Sequence, residues 1–340
     1  MNYIFIGMGA IGTYIGGSLL LSGNRVCFID RQEVEEKNRL NPPILRIGEG
    51  ESQIKDFEFF VDFQEVDFHN YDVMVVAIKA FDTDDLIESL TPYKETLPPI
   101  LCLQNGVENE AKYKELLGND NVIAGTVTSA IGKIGNNTVV VEKLRGNGIE
   151  ASHKLSQKIF DDFQSAGLNP LLFENGQAMK WSKLLTNLLA NASSAILNMP
   201  ASEIFQNRDL FNLEMTQLRE ALDVMQLNRI PVVDLPKTPV NMLAILARFV
   251  PRWLGRIISK KILGAGRGGK MPSLHIDLYG GRSKSEVDYL NGAVMRAGKL
   301  IGMDTPVNTL LADTLTKLVI GSEQKDKFDH HPKALLKLWK

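Results

Sequence analysis

A strand, a glycine turn and a helix in immediate succession restrict the fold of this chain more than any other feature. Asn2-Tyr3-Ile4-Phe5-Ile6 is a short apolar run, and Gly7-Met8-Gly9-Ala10-Ile11-Gly12 follows at once. Ile11, Ile15, Leu19 and Leu20 then recur at helical spacing as far as Ser22-Gly23. A G-x-G-x-x-G motif carries meaning in this strand-to-helix context and little outside it. Gly7 permits the tight turn, Gly9 lets backbone N–H groups approach a pyrophosphate, and Gly12 lets the helix pack close to the strand. The helix N-terminus turns the positive end of its dipole to the phosphates. Residues Gly7 to Gly12 are therefore the expected cradle for a dinucleotide, in an α/β N-terminal Rossmann-type domain.

Arg25-Val26-Cys27-Phe28-Ile29 reads as the second strand, and its end bears on the choice of cofactor. Asp30 is placed to accept hydrogen bonds from an adenosine ribose, which favours NAD. Arg31 is placed to pair with a 2′-phosphate, which favours NADP. The two signals oppose each other and leave the choice open. Asp72–Ile78 is a continuous β-branched run, as expected of a strand covered on both faces, and it ends in Lys79. A helix is expected from Thr83, carrying Leu86, Ile87 and Leu90. Ile100-Leu101-Cys102-Leu103 is the next strand and ends in Gln104-Asn105-Gly106. Ligands of such sheets bind beyond the carboxyl ends of the strands, where Lys79 and Asn105 stand. Residues 122–150 read as further strands with turns at Gly135-Asn136-Asn137 and Gly146-Asn147-Gly148. A helix from about Ser152 to Ala166 follows, and Gly167-Leu168-Asn169-Pro170 is the expected boundary between a domain over 1–170 and one over 171–340.

The second half is helix-periodic, which predicts an all-α C-terminal domain. Read as one helix, the stretch from Lys180 to Ile196 puts Lys183, Asn187 and Asn191 within an arc of roughly 80°. Trp181, Leu184, Leu185, Leu188, Ala192, Ala195 and Ile196 form the opposite, apolar face. One ammonium and two amides on a face without an acid suit an anionic, oxygen-rich ligand. Pro200 is a stop, and residues 202–227 are again periodic. Pro236 to Lys270 holds eight basic residues and no acid (Lys237, Arg248, Arg252, Arg256, Lys260, Lys261, Arg267, Lys270). It reads as a helical hairpin with a basic outer face in preference to a membrane-surface helix. Further on, Ser285 and Asp288 have capping-box spacing, and Glu286 in a first turn suits the helix dipole. His330-His331 reads as part of a peripheral helix, not a metal site.

Composition excludes several classes. The 340 residues are 44% hydrophobic and 23% charged, with a net charge of −2, so nothing global points to nucleic acid. No uninterrupted apolar run is long enough to span a membrane. No leader is expected, since Met1 passes straight into a strand. Cys27 and Cys102 lie in apolar strands and read as buried free thiols of a reducing compartment, which makes the cytoplasm the expected location. No His, Cys or acid spacing indicates a metal.

Taken together, these residues resemble the ketopantoate reductase family (2-dehydropantoate 2-reductases). The resemblance rests on Gly7-x-Gly9-x-x-Gly12, Lys79, Gln104-Asn105-Gly106, Trp181-x-Lys183-Leu184-x-x-Asn187-x-x-x-Asn191, Pro272-Ser273 and Ser285-Glu286-Val287-Asp288-x-x-Asn291-Gly292. It implies hydride transfer from NADPH, or from NADH in view of Asp30, to the C2 ketone of a 2-keto acid, with ketopantoate the expected substrate. It further implies that Lys183 is the general acid and Glu286 its support, and that Asn187, Asn191 and Ser273 hold the substrate. Lys79 and Asn105 would lie near the nicotinamide, with Asn105 also toward the substrate. The expected partner is thus a small-molecule 2-keto acid; a homodimer stays open. The chain departs from the family pattern at Ala201, where an asparagine is common, in one extra residue between Arg282 and Glu286, and in the basic insertion. An NAD(P)-binding sensor that keeps the fold without turnover is the rival from outside the enzymes, and the presence of both Lys183 and Glu286 speaks against it.

Overall fold

The structure, a computed structural model, describes residues 1–135, 137–249 and 271–339. They divide into two compact units. One holds Met1–Lys180 with Asp234–Thr238, the other Trp181–Val233 with Pro239–Lys340. The division falls inside a helix, where the sequence reading placed it at Gly167–Pro170.

The N-terminal unit is built on an eight-stranded sheet. Its first strands are β1 (Asn2–Ile6), β2 (Arg25–Ile29), β5 (Glu58–Phe60), β6 (Val73–Val76), β7 (Ile100–Cys102) and β8 (Val122–Val127). β11 (Asn147–Glu150) and β12 (Pro170–Phe173) complete it, in the order β12-β11-β8-β7-β6-β1-β2-β5. The run β5-β2-β1-β6-β7-β8 is parallel throughout and has the doubly wound order, with its switch point between β1 and β6. A second sheet joins β4 (Gly50–Gln53), β3 (Ile44–Ile47), β10 (Thr138–Lys143) and β9 (Ala130–Ile134).

Alternation of side chains decides which face each residue covers. Tyr3, Phe5, Phe28, Val73, Val75 and Leu101 face a core closed by Tyr14, Ile15 and Leu19 of α1 (Ala10–Leu21). Ile159 and Phe163 of α5 (Ser156–Ser165) and Leu45, Val139 and Val141 of the small sheet complete that core. Ile4, Ile6, Cys27, Ile29, Met74, Val76 and Cys102 face the other core. It is closed by Leu86 and Leu90 of α3 (Thr83–Leu90) and Tyr113 of α4 (Asn109–Leu117). In the chain, α2 (Gln32–Leu40) follows β2 and precedes β3. Both cysteines are buried and free, and burial pushes the Cys27 thiol up to about 12.

Two local expectations are corrected here. Gly146-Asn147-Gly148 is not a turn, because β11 starts at Asn147. The Asn147 side chain is fully buried and donates to the Leu168 carbonyl at 2.7 Å. Gly148 is a glycine because a Cβ there would stand 2.4 Å from the Met179 sulfur. The helix expected from Ser152 begins only at Ser156, whose hydroxyl donates to the Glu150 carbonyl.

The helical unit takes over within α6 (Gly176–Leu188) and continues through α7 (Ala192–Leu197), α8 (Ala201–Gln206) and α9 (Arg208–Leu227). After these come α10 (Val240–Phe249), α11 (Ser273–Tyr279), α12 (Val287–Leu300), α13 (Pro306–Val319) and α14 (Pro332–Trp339). The 20-residue α9 is central and packs against α8, α10, α12, α13 and α14. Neither long helix expected from the sequence is continuous. The first breaks at Leu189–Asn191, with Ala190 at φ +47°. The second breaks at Asn207, whose side chain accepts the Asp209 and Leu210 N–H groups as the N-cap of α9. Of the basic segment, Lys237 and Arg248 are described and residues 252–270 lie outside the described residues. Arg248 does not point to solvent alone: it donates to the Leu222 carbonyl at 2.7 Å and to Gln226 at 2.5 Å, fastening α10 to α9. Among the described residues no helix is long and apolar enough to cross a membrane, and no group of three or more His, Cys, Asp or Glu is placed to hold a metal ion.

Candidate functional site

The glycine loop closes the carboxyl end of β1. Gly7 stands at φ +97°, a conformation that residues with a Cβ rarely adopt. Its N–H donates to Ile29 O at 2.8 Å, so the sheet fixes the turn. A Cβ on Gly12 would lie 1.9 Å from the Gly7 carbonyl oxygen, and the protein's own packing therefore demands this glycine. Gly9 is different. Its backbone is extended, at φ −72° and ψ −163°, and an added Cβ would meet nothing within 4 Å. No packing contact demands a glycine there, and the open space leaves the backbone accessible to an approaching ligand. Gly9 is the N-cap of α1, no side chain caps that helix, and its first turn contains no acid. Ala10 and Ile11 in that turn are half-buried. These residues fit a pyrophosphate on backbone N–H groups.

Met8 sits in the cradle with its side chain buried, and its N–H donates to Asp30 Oδ2 at 2.7 Å. The other carboxylate oxygen, Oδ1, accepts the Arg31 N–H at 2.8 Å. The Arg31 side chain is 81% exposed, with its Nε 3.8 Å from Asp30 Oδ1.

Lys79 and Asn105 both stand in loops beyond strand ends and are half-buried. Gln104 joins the two loops: its amide donates to the Lys79 carbonyl at 3.3 Å and to Thr83 Oγ1 at 3.0 Å, and its oxygen accepts from the Tyr113 hydroxyl. Asn109 donates to the Asn105 carbonyl at 2.8 Å. Beneath this network lies Lys180, 4% exposed, donating to the Gln104 carbonyl at 2.6 Å and the Gly125 carbonyl at 3.2 Å, and paired with Glu110 at 2.6 Å. Burial by itself would favour the neutral amine. The Glu110 carboxylate outweighs it and holds the Lys180 pKa above its ordinary value.

In the helical unit, Lys183 and Asn187 are half-buried and one turn apart on α6. Asn191 does not continue their stripe, because it stands at the end of the break as the residue before α7. Its side chain brackets two elements, accepting the Leu274 N–H of α11 at 3.2 Å and donating to the Asn187 carbonyl at 3.0 Å. A non-glycine residue in the left-handed conformation of Ala190 costs about 1–2 kcal/mol. The fully buried Glu214 holds the break open: it accepts the Ala190 N–H and the Ser193 hydroxyl, each at 2.6 Å, and Gln217 at 2.5 Å. Ser273 is the exposed first residue of α11, after Pro272. Glu286 is the N-cap of α12 and 2% exposed, with its carbonyl accepting the Tyr289 and Leu290 N–H groups. Asn291 of the same motif belongs to a buried network, donating to Gln217 and Asn308 at 3.0 Å each. Asn308 in turn donates to Glu220 at 2.8 Å.

Lys180, Glu110 and Glu214 were missed by sequence reasoning. A signal existed for two of them. Lys180 is in line with Leu184 and Leu188 at helical spacing, and Glu214 with Phe211, Met215 and Leu218. A lone charge within an apolar stripe marks a buried, partnered group.

A family model described as "Ketopantoate reductase PanE/ApbA" matches residues 3–151, and its C-terminal counterpart matches residues 175–319. The 2-dehydropantoate 2-reductase of Pyrococcus horikoshii is 26% identical over 320 residues, covering 92% of this chain and 95% of that protein. Among solved structures, a PanE/ApbA family ketopantoate reductase from Ralstonia eutropha JMP134 superposes with a TM-score of 0.79 at 24% identity, over 95% of this chain and 100% of that one. D-mandelate dehydrogenase, solved with NADH and anilino(oxo)acetate, gives 0.77 at 21% identity, over 94% and 99%. At these identities the two structures speak for the fold. The two family-model matches together take in most of both units, and the chain belongs to the ketopantoate reductase family.

Proposed function

We propose that this protein reduces a 2-keto acid to a 2-hydroxy acid with a reduced nicotinamide dinucleotide, and that its substrate is 2-dehydropantoate (ketopantoate), giving pantoate. In this reading residues 1–170 bind the dinucleotide and residues 171–340 bind the substrate and supply the acid. The match of family models to both halves of the chain carries the proposal. The open space beside the Gly9 backbone supports the cofactor half.

When bound, the reduced nicotinamide supplies the hydride. The chain's own residues do the rest. Gly7 to Gly12 receive the pyrophosphate on backbone N–H groups, and Arg31 lies on the adenosine side. Lys79 and Asn105, in loops braced by Gln104, flank the nicotinamide end. A carbonyl that accepts hydride develops negative charge on oxygen. A preorganised ammonium at Lys183 stabilises that charge and gives up the proton that completes the alcohol. Glu286 supports Lys183 in that role. Asn187, Asn191 and Ser273 bind the substrate's oxygen atoms, Asn191 through whatever hydrogen-bonding capacity its bonds to Leu274 and Asn187 leave free.

A second reading, a paralogue acting on a different 2-keto acid, is favoured by Ala201, a small buried residue where the family commonly carries an asparagine. The assay that separates the two follows the near-ultraviolet absorbance of the reduced nicotinamide with ketopantoate beside branched, aromatic and acidic 2-keto acids. Oxidation fastest with ketopantoate supports the proposal, and oxidation with another acid alone moves the function to the paralogue. Lys183→Ala is expected to lower kcat by about 10²- to 10³-fold and to leave the dinucleotide Kd unchanged. Unaltered turnover in that variant would remove Lys183 from the chemistry.

A further inference from the structure

We infer that Gln217 is a positioning residue for the proposed reaction: it fixes the end of α6, the helix of Lys183 and Asn187, against α12, the helix that Glu286 opens. The inference rests on the roles proposed above for Lys183 and Glu286. Gln217 lies in α9 on the buried stripe of Leu210, Leu213 and Ala221, and is itself fully buried. A leucine would serve packing there as well, and an amide taken from water costs free energy unless it is hydrogen-bonded. This amide is bonded at both polar atoms. Its Nε2 donates to the carbonyl of Leu188, the last residue of α6, at 3.2 Å. Its Oε1 accepts from Asn291, in the second turn of α12, at 3.0 Å. One side chain thus reaches both helices.

The neighbours hold that side chain in place. Nε2 also donates to Glu214 Oε2 at 2.5 Å, and Glu214 is fixed in turn by the Ala190 N–H and the Ser193 hydroxyl. On the other side Asn308 accepts from Asn291 at 3.0 Å and donates to the Gln217 carbonyl at 3.0 Å. A satisfied buried amide specifies one arrangement of the elements it joins, whereas an apolar contact tolerates repacking. Lys183 stands on the same helix as Leu188, and Glu286 on the same helix as Asn291. A link between Leu188 and Asn291 therefore sets where the backbones of Lys183 and Glu286 stand. Such placing matters to a general acid, since a shift of about 1 Å caused far from the chemistry can cost about 10²-fold in rate.

The test is steady-state kinetics of the full chain, with reduced dinucleotide and whichever 2-keto acid the wild type turns over, in Gln217→Met and in Met225→Ala. Methionine keeps the length of the side chain and removes both polar atoms. Each former partner keeps another hydrogen bond: Leu188 O from the Asn191 N–H, Glu214 from Ala190 and Ser193, and Asn291 to Asn308. The variant thus loses the link and little else. Met225→Ala removes buried apolar atoms from the same helix and loosens it without touching the link. Gln217→Met is expected to lower kcat about 10- to 100-fold. The KM for the keto acid is expected to hold, because Asn191 keeps its bonds to Leu274 and Asn187. The dinucleotide Kd is expected to hold as well, because the glycine cradle belongs to the other unit. Met225→Ala is expected to lower the thermal midpoint and to keep kcat. Unchanged kcat in Gln217→Met, a change confined to KM, or an equal fall of kcat in Met225→Ala overturns the inference and leaves the proposed reaction standing. Should Gln217→Met not fold, Asn291→Leu severs the same link from the α12 side and is read in the same way. A wild type that oxidises the dinucleotide with no 2-keto acid sinks the proposed reaction and this inference with it.

Discussion

Gly9 and Gly12 stand in the same loop for different reasons, and substitution separates them. A Cβ on Gly12 would press to 1.9 Å on the Gly7 carbonyl oxygen, a backbone atom that cannot yield cheaply. Gly12→Ala is expected to cost about 1–3 kcal/mol, the range for overpacking, read as a lower urea midpoint. Gly9→Thr places its side chain in open space from an extended backbone, and threonine serves at a helix N-cap about as well as glycine. It is expected to keep the wild-type midpoint and to lose dinucleotide binding. Wild-type affinity in Gly9→Thr would show that the space serves no ligand. The motif was legible as residues, because a strand, a spaced set of glycines and a helix are local features. Which glycine the packing demands and which it leaves beside open space was not legible, since that depends on where the neighbouring atoms lie. The bond from Met8 to Asp30 was hidden for the same reason, its partners being distant in sequence.

Among the elements, α6 shows most clearly how far periodicity reaches. Its apolar stripe and the placing of Lys183 and Asn187 one turn apart follow from spacing alone. The break after Leu188 does not. Nothing in Leu188-Leu189-Ala190-Asn191 announces a stop, and the left-handed Ala190 is held by Glu214 from α9. At the other end of α6, Lys180 and Glu110 form a buried pair that also fixes the Gln104 carbonyl. Lys180→Met leaves the Glu110 charge buried without its partner and is expected to destabilise the protein by about 3–5 kcal/mol. Glu110→Leu added to Lys180→Met is expected to restore most of that loss, since replacing a whole buried pair with apolar groups is often near neutral. Equilibrium denaturation of both variants checks this. A double variant no more stable than Lys180→Met would mean that the two charges are not coupled.

On the scale of the whole molecule, two histidines give the protein a dependence on mild acid. Burial lowers the pKa of His275, and burial followed by the Lys154 charge lowers that of His153. An unfolded histidine takes up its proton near about 6.5, while these folded ones resist it. The unfolded chain then binds more protons, and stability falls as pH drops below the ordinary histidine value. Glu220, raised by burial despite its bonds from Asn308 and Val307, works in the opposite sense at lower pH. The comparison is therefore made against His153→Gln/His275→Gln. Between about pH 7.5 and about pH 5.5 the wild type is expected to lose more of its thermal midpoint than that double variant. Equal losses would show that neither histidine contributes.

By itself the sequence determined the α/β rhythm, the parallel sheet with its glycine cradle, the helical second half and the strand ends that carry Lys79 and Asn105. All of these rest on patterns within a few residues or one helical turn, where backbone geometry alone relates spacing to position. Only the tertiary structure decided that β11 runs through Gly148, that the division between units falls within α6, that Asn191 brackets α11 and that Asp30 is locked to Met8. Each of these depends on a contact between segments far apart in the chain, and burial there turns one hydrogen bond or one missing Cβ into a choice of conformation.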